Sequence, residues 1–154
     1  MKDANGILSP KPSENSSLSV YAAGTAYQFT NAAALLTFGT TSPSLTITGP
    51  GTYLLLARAV LDYNGATFAA SRNVTLKLRR TNNTAADLAG STTVVDTAIV
   101  TTVTQTFGSF SLPPVVYTTL NSNDIIQLFG LVDTVPTAGS LDAVEASIIA
   151  VRLS

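Results

Sequence analysis

The 154-residue chain contains no cysteine, no histidine and no tryptophan, and charged residues make up only 11% of it. Without cysteine, disulfides and thiolate metal sites are excluded. Without histidine, the commonest general base and the commonest metal ligand are missing. The sequence also has no Gly-x-Ser-x-Gly motif of the kind that presents a catalytic serine. We therefore expect a protein that is not an enzyme and that needs no cofactor.

The low charge content also limits which partners can be expected: only 11% of the residues are charged, against about 25% in a typical soluble domain. The net charge is -1, and the only basic cluster is "KLRR" at Lys77 to Arg80, so nucleic-acid binding gains no support. No apolar run approaches the roughly 20 residues of a membrane-spanning helix. The N-terminus lacks the apolar segment of a secretory signal, so we expect neither a membrane partner nor export by a signal peptide. Burial of surface between subunits explains the low charge content better than a membrane does.

The chain divides into a polar arm and one domain. Residues 1–20 are rich in Ser, Pro, Asn and Lys and show no periodicity, which predicts an arm that attaches the protein to a partner. From residue 21 to 154, Thr, Ala, Val, Leu and Ile dominate, and Gly, Pro and Asn recur at short intervals. This pattern is typical of many short strands.

Ten short strands predict an all-β fold, an antiparallel jelly-roll sandwich. The predicted strands are Ala26–Thr30, Ala34–Phe38, Ser44–Thr48, Tyr53–Leu61, Asn73–Arg79, Thr93–Val103, Thr106–Leu112, Val115–Thr119, Asp124–Val132 and Val144–Leu153.

These strands are of two kinds. "SLTIT" and "NVTLKLR" alternate between apolar and polar residues, as half-solvated antiparallel strands do, and we assign them to an outer sheet. "YLLLARAVL", "DIIQLFGLV" and "ASIIAVRL" are apolar on both faces. In a domain this small, the second face of these three strands is expected to contact another chain.

Two longer stretches resemble a known family. "SLTITGPGTYLLLARAVL" is similar to the strand, Pro-Gly turn, Gly-x-Tyr and apolar strand of the globular heads of complement C1q and its tumour necrosis factor relatives, with Gly51 and Tyr53 at hallmark positions. "VVYTTLNSNDIIQLFGLV" resembles the family's pair of apolar strands around a turn that ends in Asp, here Asn123-Asp124. The resemblance extends from about Ala26 to Ser154.

The resemblance implies a ten-stranded jelly roll that forms a homotrimer, with the three two-sided strands in the sheet that faces the threefold axis. Tyr53 and the residues alternating with it would then face the core. The predicted trimer interface consists of Leu54, Leu56, Arg58, Val60 and Glu145. Glu145 is included as the expected partner of Arg58, because the fold places the last strand beside the strand that carries this arginine. The competing interpretation is that Arg58 extends to solvent at the sheet edge.

A cysteine-free trimer with a polar arm, and with no collagen stalk, membrane anchor or signal peptide, is most similar to modules of bacteriophage particles. We therefore predict a non-enzymatic virion protein, such as a head fibre or a capsid decoration protein, that is assembled in the host cytoplasm and bound to other virion proteins by its arm. The alternatives are a receptor-binding tip that recognises a host-surface glycan or another ligand, and a bacterial spore or surface trimer.

Two further groups of residues have competing interpretations. Asp62 and Asp124 could bind a cation, as in some members of the family, but Asp and Asn also favour turns through local hydrogen bonds. Four aromatic residues could stack on sugars at loop tips or could pack in the core or an interface; they are Tyr63, Phe68, Phe107 and Phe110.

Overall fold

Eleven β-strands and no helix are found among the residues that the computed structural model describes, which are 17–70, 72–96 and 107–154. Abundant Val, Ile and Thr favour this outcome, because branched side chains pack well on a pleated surface. The strands are β1 (Ser17–Gln28), β2 (Ala34–Leu35), β3 (Ser44–Ile47), β4 (Gly51–Asp62), β5 (Asn73–Arg80), β6 (Ala86–Asp87), β7 (Thr93–Asp96), β8 (Phe107–Ser111), β9 (Val115–Thr119), β10 (Asp124–Val132) and β11 (Asp142–Arg152). Within these ranges, no apolar helix is long enough to cross a membrane.

The strands form two antiparallel sheets. Sheet I has the order β1-β11-β4, and the free edge of β4 pairs with β9 along its first half and with β8 along its second half. Sheet II has β10 and β5 at its centre, with β2 and β3 on the far edge of β10 and β6 and β7 on the far edge of β5. The last strand of the fold, β11, is thus a central strand of sheet I.

One apolar core lies between the two sheets. Strict alternation supplies it: every second residue of β4, β9 and β10 is buried. The largest side chains that are fully buried are Phe29, Leu36, Ile47, Tyr53, Leu55, Leu61, Leu76, Leu78, Ile126, Leu128, Leu141 and Ile148. At roughly 25 cal/mol per Å² of apolar surface removed from water, this core is the main stabilising contribution to the fold.

The first residues of β4 show why the sequence has Gly and Tyr there. A Cβ atom on Gly51 would lie 2.5 Å from the carbonyl oxygen of Ser154, so the chain after β11 can approach only because this residue has no side chain. Tyr53 is 2% exposed, and its hydroxyl donates a 2.8 Å hydrogen bond to the carbonyl of Gly49. Its ring therefore fills the core while its polar end fixes the preceding turn.

The N-terminal boundary differs from the sequence prediction. The structure pairs Ser17 to Ala23 with β11, so residues 17–20, which the sequence places in the polar arm, are part of sheet I. The serines at every second position make this strand resemble a polar arm in the sequence. They point away from the core, whereas Leu18 and Val20 between them are half-buried. Residues 1–16 lie outside the described residues.

Other strand boundaries differ in smaller ways. The predicted strand Ala34–Phe38 is reduced to two residues and an isolated bridge between Phe38 and Thr41. The two-residue strand β6 was not predicted, which brings the described strands to eleven instead of ten. Of the predicted strand Thr93–Val103, the structure shows Thr93–Asp96, and the residues after it lie outside the described residues.

The placement of β10 in the same sheet as β4 and β11 is wrong. This strand pairs with β3 and β5 in sheet II. Its second face is half-buried within the chain itself: the guanidinium of Arg79 lies 5.5 Å from the ring centroid of Phe129, and the amide of Gln127 donates to Ser44 Oγ over 3.1 Å. Long polar side chains from β5 thus cover apolar residues of β10 without a second chain.

Candidate interaction surface on sheet I

The face of sheet I that points away from the core is here called the outer face. Along β4 the buried residues are Tyr53, Leu55, Ala57, Ala59 and Leu61, and the residues between them belong to the outer face. Leu54 and Val60 are half-buried there, whereas Leu56 and Arg58 are exposed. The alternation predicted for this strand is therefore present in the structure.

Ladder register extends this face across the sheet, because directly opposed residues point to the same side. Leu54 lies between Val151 and Val116, and Leu56 lies opposite Ile149. The exposed fractions are 37% for Leu56, 38% for Ile149 and 64% for Val116. These side chains form an exposed apolar area, whereas the solvent-facing side of an antiparallel sheet normally carries polar residues.

A polar group borders the apolar area. Arg58 Nη2 donates a 2.7 Å hydrogen bond to Glu145 Oε1, and the hydroxyl of Tyr21 donates to Glu145 Oε2, also over 2.7 Å. The hydrogen bond to Glu145 raises the pKa of Tyr21, so this phenol stays protonated as a donor. Both oxygens of one carboxylate are thus occupied by side chains from β1 and β4.

A shallow hollow of about 330 Å³ opens beside Arg58 on the same face. Leu56 and Ile149 form its apolar side, and Ser111, Pro114 and Ser147 complete its wall. The hollow lies where β4 changes partner, between its pairing with β9 and its pairing with β8. The outer face therefore has a depression that is large enough to hold a side chain of another molecule.

The five residues predicted for the interface all lie on this one face, and the predicted contact between Arg58 and Glu145 is present. Sequence reasoning missed Tyr21, because β1 was predicted to start five residues after it. It also missed Val116 and Ile149. The alternation of β9 and β11 could have identified these two residues, since each lies between two buried neighbours.

Asp124 is fully buried at the start of β10 and is satisfied within the chain. Its carboxylate accepts hydrogen bonds from Tyr117 and Thr119, each over 2.5 Å, and from Asn83 over 2.9 Å, and Arg80 lies 3.9 Å away. Burial alone would raise the pKa of Asp124, but these hydrogen bonds and the arginine charge outweigh it and lower the pKa. Asp124 is a structural carboxylate that joins the start of β10 to β9 and to the loop that contains Asn83.

The structure separates the aromatic candidates. Tyr63 is 8% exposed and Phe68 is 7% exposed, and Phe110 packs against the core. Tyr63 and Phe68 are therefore not available to stack on a sugar, whereas Phe110 is half-buried. The side chain of Phe107 lies outside the described residues.

The acidic side chains are the remaining candidate metal ligands, because the chain has no His or Cys. Within residues 17–70, 72–96 and 107–154, no three side chains of the Asp, Glu, His or Cys type come together to hold a metal ion. Asp62 lies at the end of β4 and faces Asp142 of β11 directly across the ladder.

The chain is similar to known proteins in structure but not in sequence. No protein-family model and no curated protein sequence matches the chain. The globular domain of zebrafish complement 1qA protein superposes with a TM-score of 0.52 at 12% identity, covering 92% of this chain and 98% of that one. The fold is a C1q-like jelly roll.

Two other solved structures are similar. The structure of infectious bursal disease virus, Gx strain, gives a TM-score of 0.53 at 12% identity and covers 96% of this chain but 37% of the viral chain. The Eiger tumour necrosis factor of S. frugiperda gives 0.48 at 11% identity, with 90% and 92% covered. At 12% identity, the likeness to the zebrafish and viral structures shows the fold alone, and function must be argued from the surface.

Proposed function

We propose that the protein is a non-enzymatic structural protein that forms a homotrimer through the outer face of sheet I. One observation carries the proposal: Leu56, Ile149 and Val116 are exposed side by side on this face. Contiguous apolar surface on a soluble domain marks a site of association. The C1q-like fold supports a trimer, because the family resemblance in the sequence implies one.

The ion pair fits a place within such an interface. In the isolated chain the side chain of Arg58 is 48% exposed and that of Glu145 is 28% exposed. A neighbouring subunit would exclude water from both groups, and an arginine without a counter-charge would then cost several kcal/mol. Because the carboxylate is already in place within the same chain, the guanidinium enters the interface with its charge compensated.

We further propose that this trimer is a component of a virus particle, such as a bacteriophage head fibre or capsid decoration protein, and that it is located on the virion. The polar composition of residues 1–16 suits an attachment segment that binds other virion proteins. A jelly roll of the same architecture occurs in a virus particle, which makes the fold compatible with this role.

The same fold would also serve a receptor-binding tip or a bacterial spore or surface trimer. The burial of Tyr63 and Phe68 removes two of the aromatic residues that a glycan-binding tip would need. Copy number separates the candidates: a decoration protein occurs in many copies over a capsid, whereas a tip protein occurs in few copies and binds cells saturably.

Two measurements test the proposal. Sedimentation equilibrium of the full chain should give three times the monomer mass of 15.9 kDa. Electron microscopy of particles labelled for this protein should then place it on the capsid. A stable monomer at tens of micromolar would exclude the trimer, and particles that carry no label would exclude the virion role.

A further inference from the structure

Asp62 and Asp142 form an acidic pair that makes no ion pair with the residues that the structure describes. They are direct ladder partners on the outer face of sheet I, where opposed Cβ atoms lie about 5 Å apart. Burial, and after it the charge of Asp142, raises the pKa of Asp62. Like charges in this position destabilise a sheet, so the pairing calls for a reason.

Asp142 is buried with one carboxylate oxygen unpaired among the described residues. The residue is only 7% exposed, and its Oδ1 atom is buried and accepts no hydrogen bond from the described residues. A buried carboxylate oxygen without a partner costs more than an ordinary lost hydrogen bond, because the charge has lost its water. A positively charged ligand would stabilise such an oxygen.

The second oxygen of Asp142 is held in place. Ser140 Oγ donates a 2.8 Å hydrogen bond to Asp142 Oδ2, and the amide of Asn64 contacts the same hydroxyl over 3.4 Å. The backbone N–H of Ser140 also donates to the carbonyl of Asn64, which joins the two loops. This arrangement fixes the carboxylate by one oxygen and leaves the other one to bind a ligand.

In the described part of the chain, no positive side chain is paired with either aspartate. None of the ion pairs among the described residues includes Asp62 or Asp142. Arg58 lies on the same face but four residues back along β4, a distance of about 13 Å at strand spacing. Its guanidinium is already bound to Glu145.

A third oxygen donor completes the row. Gln28 of β1 is the ladder partner of Asp142 on the side opposite to Asp62, and it is exposed. Three oxygen-bearing side chains from adjacent strands therefore stand side by side on one face. Two carboxylates together with amide, hydroxyl and water oxygens are the ligands of Ca²⁺, which accepts irregular geometry, whereas Mg²⁺ demands a near-ideal octahedron.

We propose that the carboxylates of Asp62 and Asp142, with the amide oxygen of Gln28 beside them, bind a calcium ion at this end of sheet I. The ion neutralises the two facing charges and gives the buried oxygen of Asp142 its partner. Bound only to the folded chain, it stabilises the fold by mass action. The inference concerns a single subunit and does not depend on the trimer.

Scanning calorimetry of the full chain, in EDTA and then in CaCl2, tests the site. The wild-type melting temperature should rise saturably, by about 5 °C or more at a Ca²⁺ concentration one hundred times Kd. MgCl2 at the same concentration should have a clearly smaller effect. Isothermal titration should give one Ca²⁺ per chain.

Matched variants decide which residues hold the ion. Asp62→Asn and Asp142→Asn should each abolish the Ca²⁺-dependent shift, whereas Asp133→Asn, which removes an exposed acid after β10, should retain it. In EDTA, Asp62→Asn should melt at or above the wild-type temperature, because it removes the repulsion between the carboxylates. Asp62 is only half-buried, so this variant remains informative if Asp142→Asn does not fold.

Three results would overturn the proposal. A wild-type melting temperature that is unchanged by millimolar Ca²⁺ would show that no ion binds. A shift that survives in Asp62→Asn would place the ion elsewhere. Stabilisation by acid alone, without any response to Ca²⁺, would show that the two carboxyl groups share a proton instead.

Discussion

The cluster around Asp124 illustrates how side-chain hydrogen bonds satisfy a buried carboxylate. Its carboxylate receives three side-chain hydrogen bonds from the segments that contain Asn83, Tyr117 and Thr119. The residue at position 123 has a φ of 67°, in the left-handed region that Asn tolerates better than most residues. The Asn123-Asp124 pair therefore sets both the turn and the polar network behind it.

Replacing this carboxylate should be costly. We expect Asp124→Asn to lower the free energy of unfolding by about 2–4 kcal/mol, because the amide nitrogen faces hydroxyl and amide donors that need an acceptor. Urea denaturation at pH 7 measures the loss. Asp133→Asn, at an exposed position, serves as the control and should change stability by less than about 0.5 kcal/mol.

The same variant has a distinctive pH dependence. Since the pKa of Asp124 is lowered in the folded chain, its contribution is fully present above the ordinary Asp pKa and is lost as the pH falls through the folded value. The stability difference between the wild type and Asp124→Asn should therefore be largest near neutral pH and should shrink in acid. A difference that grows on acidification would contradict this assignment.

Arg58 and Glu145 offer a second test at the level of single residues. We expect Arg58→Ala and Glu145→Ala each to raise the trimer dissociation constant by at least about tenfold, because each leaves the other charge unpaired in the interface. In a double-mutant cycle the combined loss should be clearly smaller than the sum of the two. Sedimentation at several concentrations measures both quantities.

A control for this cycle comes from the opposite sheet. Lys77 Nζ lies 2.6 Å from Asp87 Oδ2 in an ion pair of sheet II. Alanine at either position should leave trimerisation unchanged. Strict additivity of the Arg58 and Glu145 losses would mean that the pair contributes nothing to assembly.

Among the elements, β1 determines where the attachment segment ends. Its first seven residues pair with β11 and supply Leu18, Val20 and Ala22 to the core side of sheet I. Deletion of residues 1–16 should therefore leave a folded trimer that no longer attaches to its particle. Deletion of residues 1–23 should also cost about 2–4 kcal/mol of stability, because these apolar contacts are lost.

Urea denaturation and particle-binding assays on the two truncations distinguish these effects. Equal stability of both truncated chains would show that the first half of β1 contributes nothing to the fold. Retained attachment after deletion of residues 1–16 would place docking on the jelly roll itself.

The sequence predicts strands with local alternation well and pairing partners less well. The bounds of β9 and β10 follow from their composition and from the turn between them, because every second residue must face one core. The sheet to which β10 belongs does not follow, because Arg79 of the neighbouring strand covers Phe129 on the second face of β10. Apolarity on both faces of a strand therefore identifies burial but does not identify what buries it.

The candidate surface shows the same limit. Leu54, Leu56, Arg58 and Val60 could be assigned to one face from a single strand. Tyr21 and Asp142 could not, since each acquires its role from a residue far away in the chain, Glu145 for the tyrosine and Asp62 for the aspartate. Ladder register, which the sequence does not contain explicitly, creates these contacts.

For the whole molecule, association and stability should be linked. If folding is completed by trimer formation, the apparent melting temperature should fall as the protein is diluted. We expect Leu56→Asp to give monomers at concentrations where the wild type is trimeric, because an unpaired carboxylate in an apolar interface costs several kcal/mol. Light scattering after size-exclusion chromatography measures the mass of each form.

Val94→Asp provides the matched control. Val94 is 59% exposed, but it lies on β7 at the edge of sheet II, away from the proposed interface. This variant should remain a trimer. Dissociation by both substitutions would show that the outer face of sheet I is not the specific contact.

The central position of β11 has a consequence for how the protein is made. On the ribosome, at about 5–20 residues per second, β1 and β4 emerge before the strand that must lie between them has been translated. Until then each of them has an unpaired edge and an uncovered apolar side. A nascent chain that stalls before β11 would expose both strands to other nascent chains, so subunits should associate only after β11 has emerged from the ribosome.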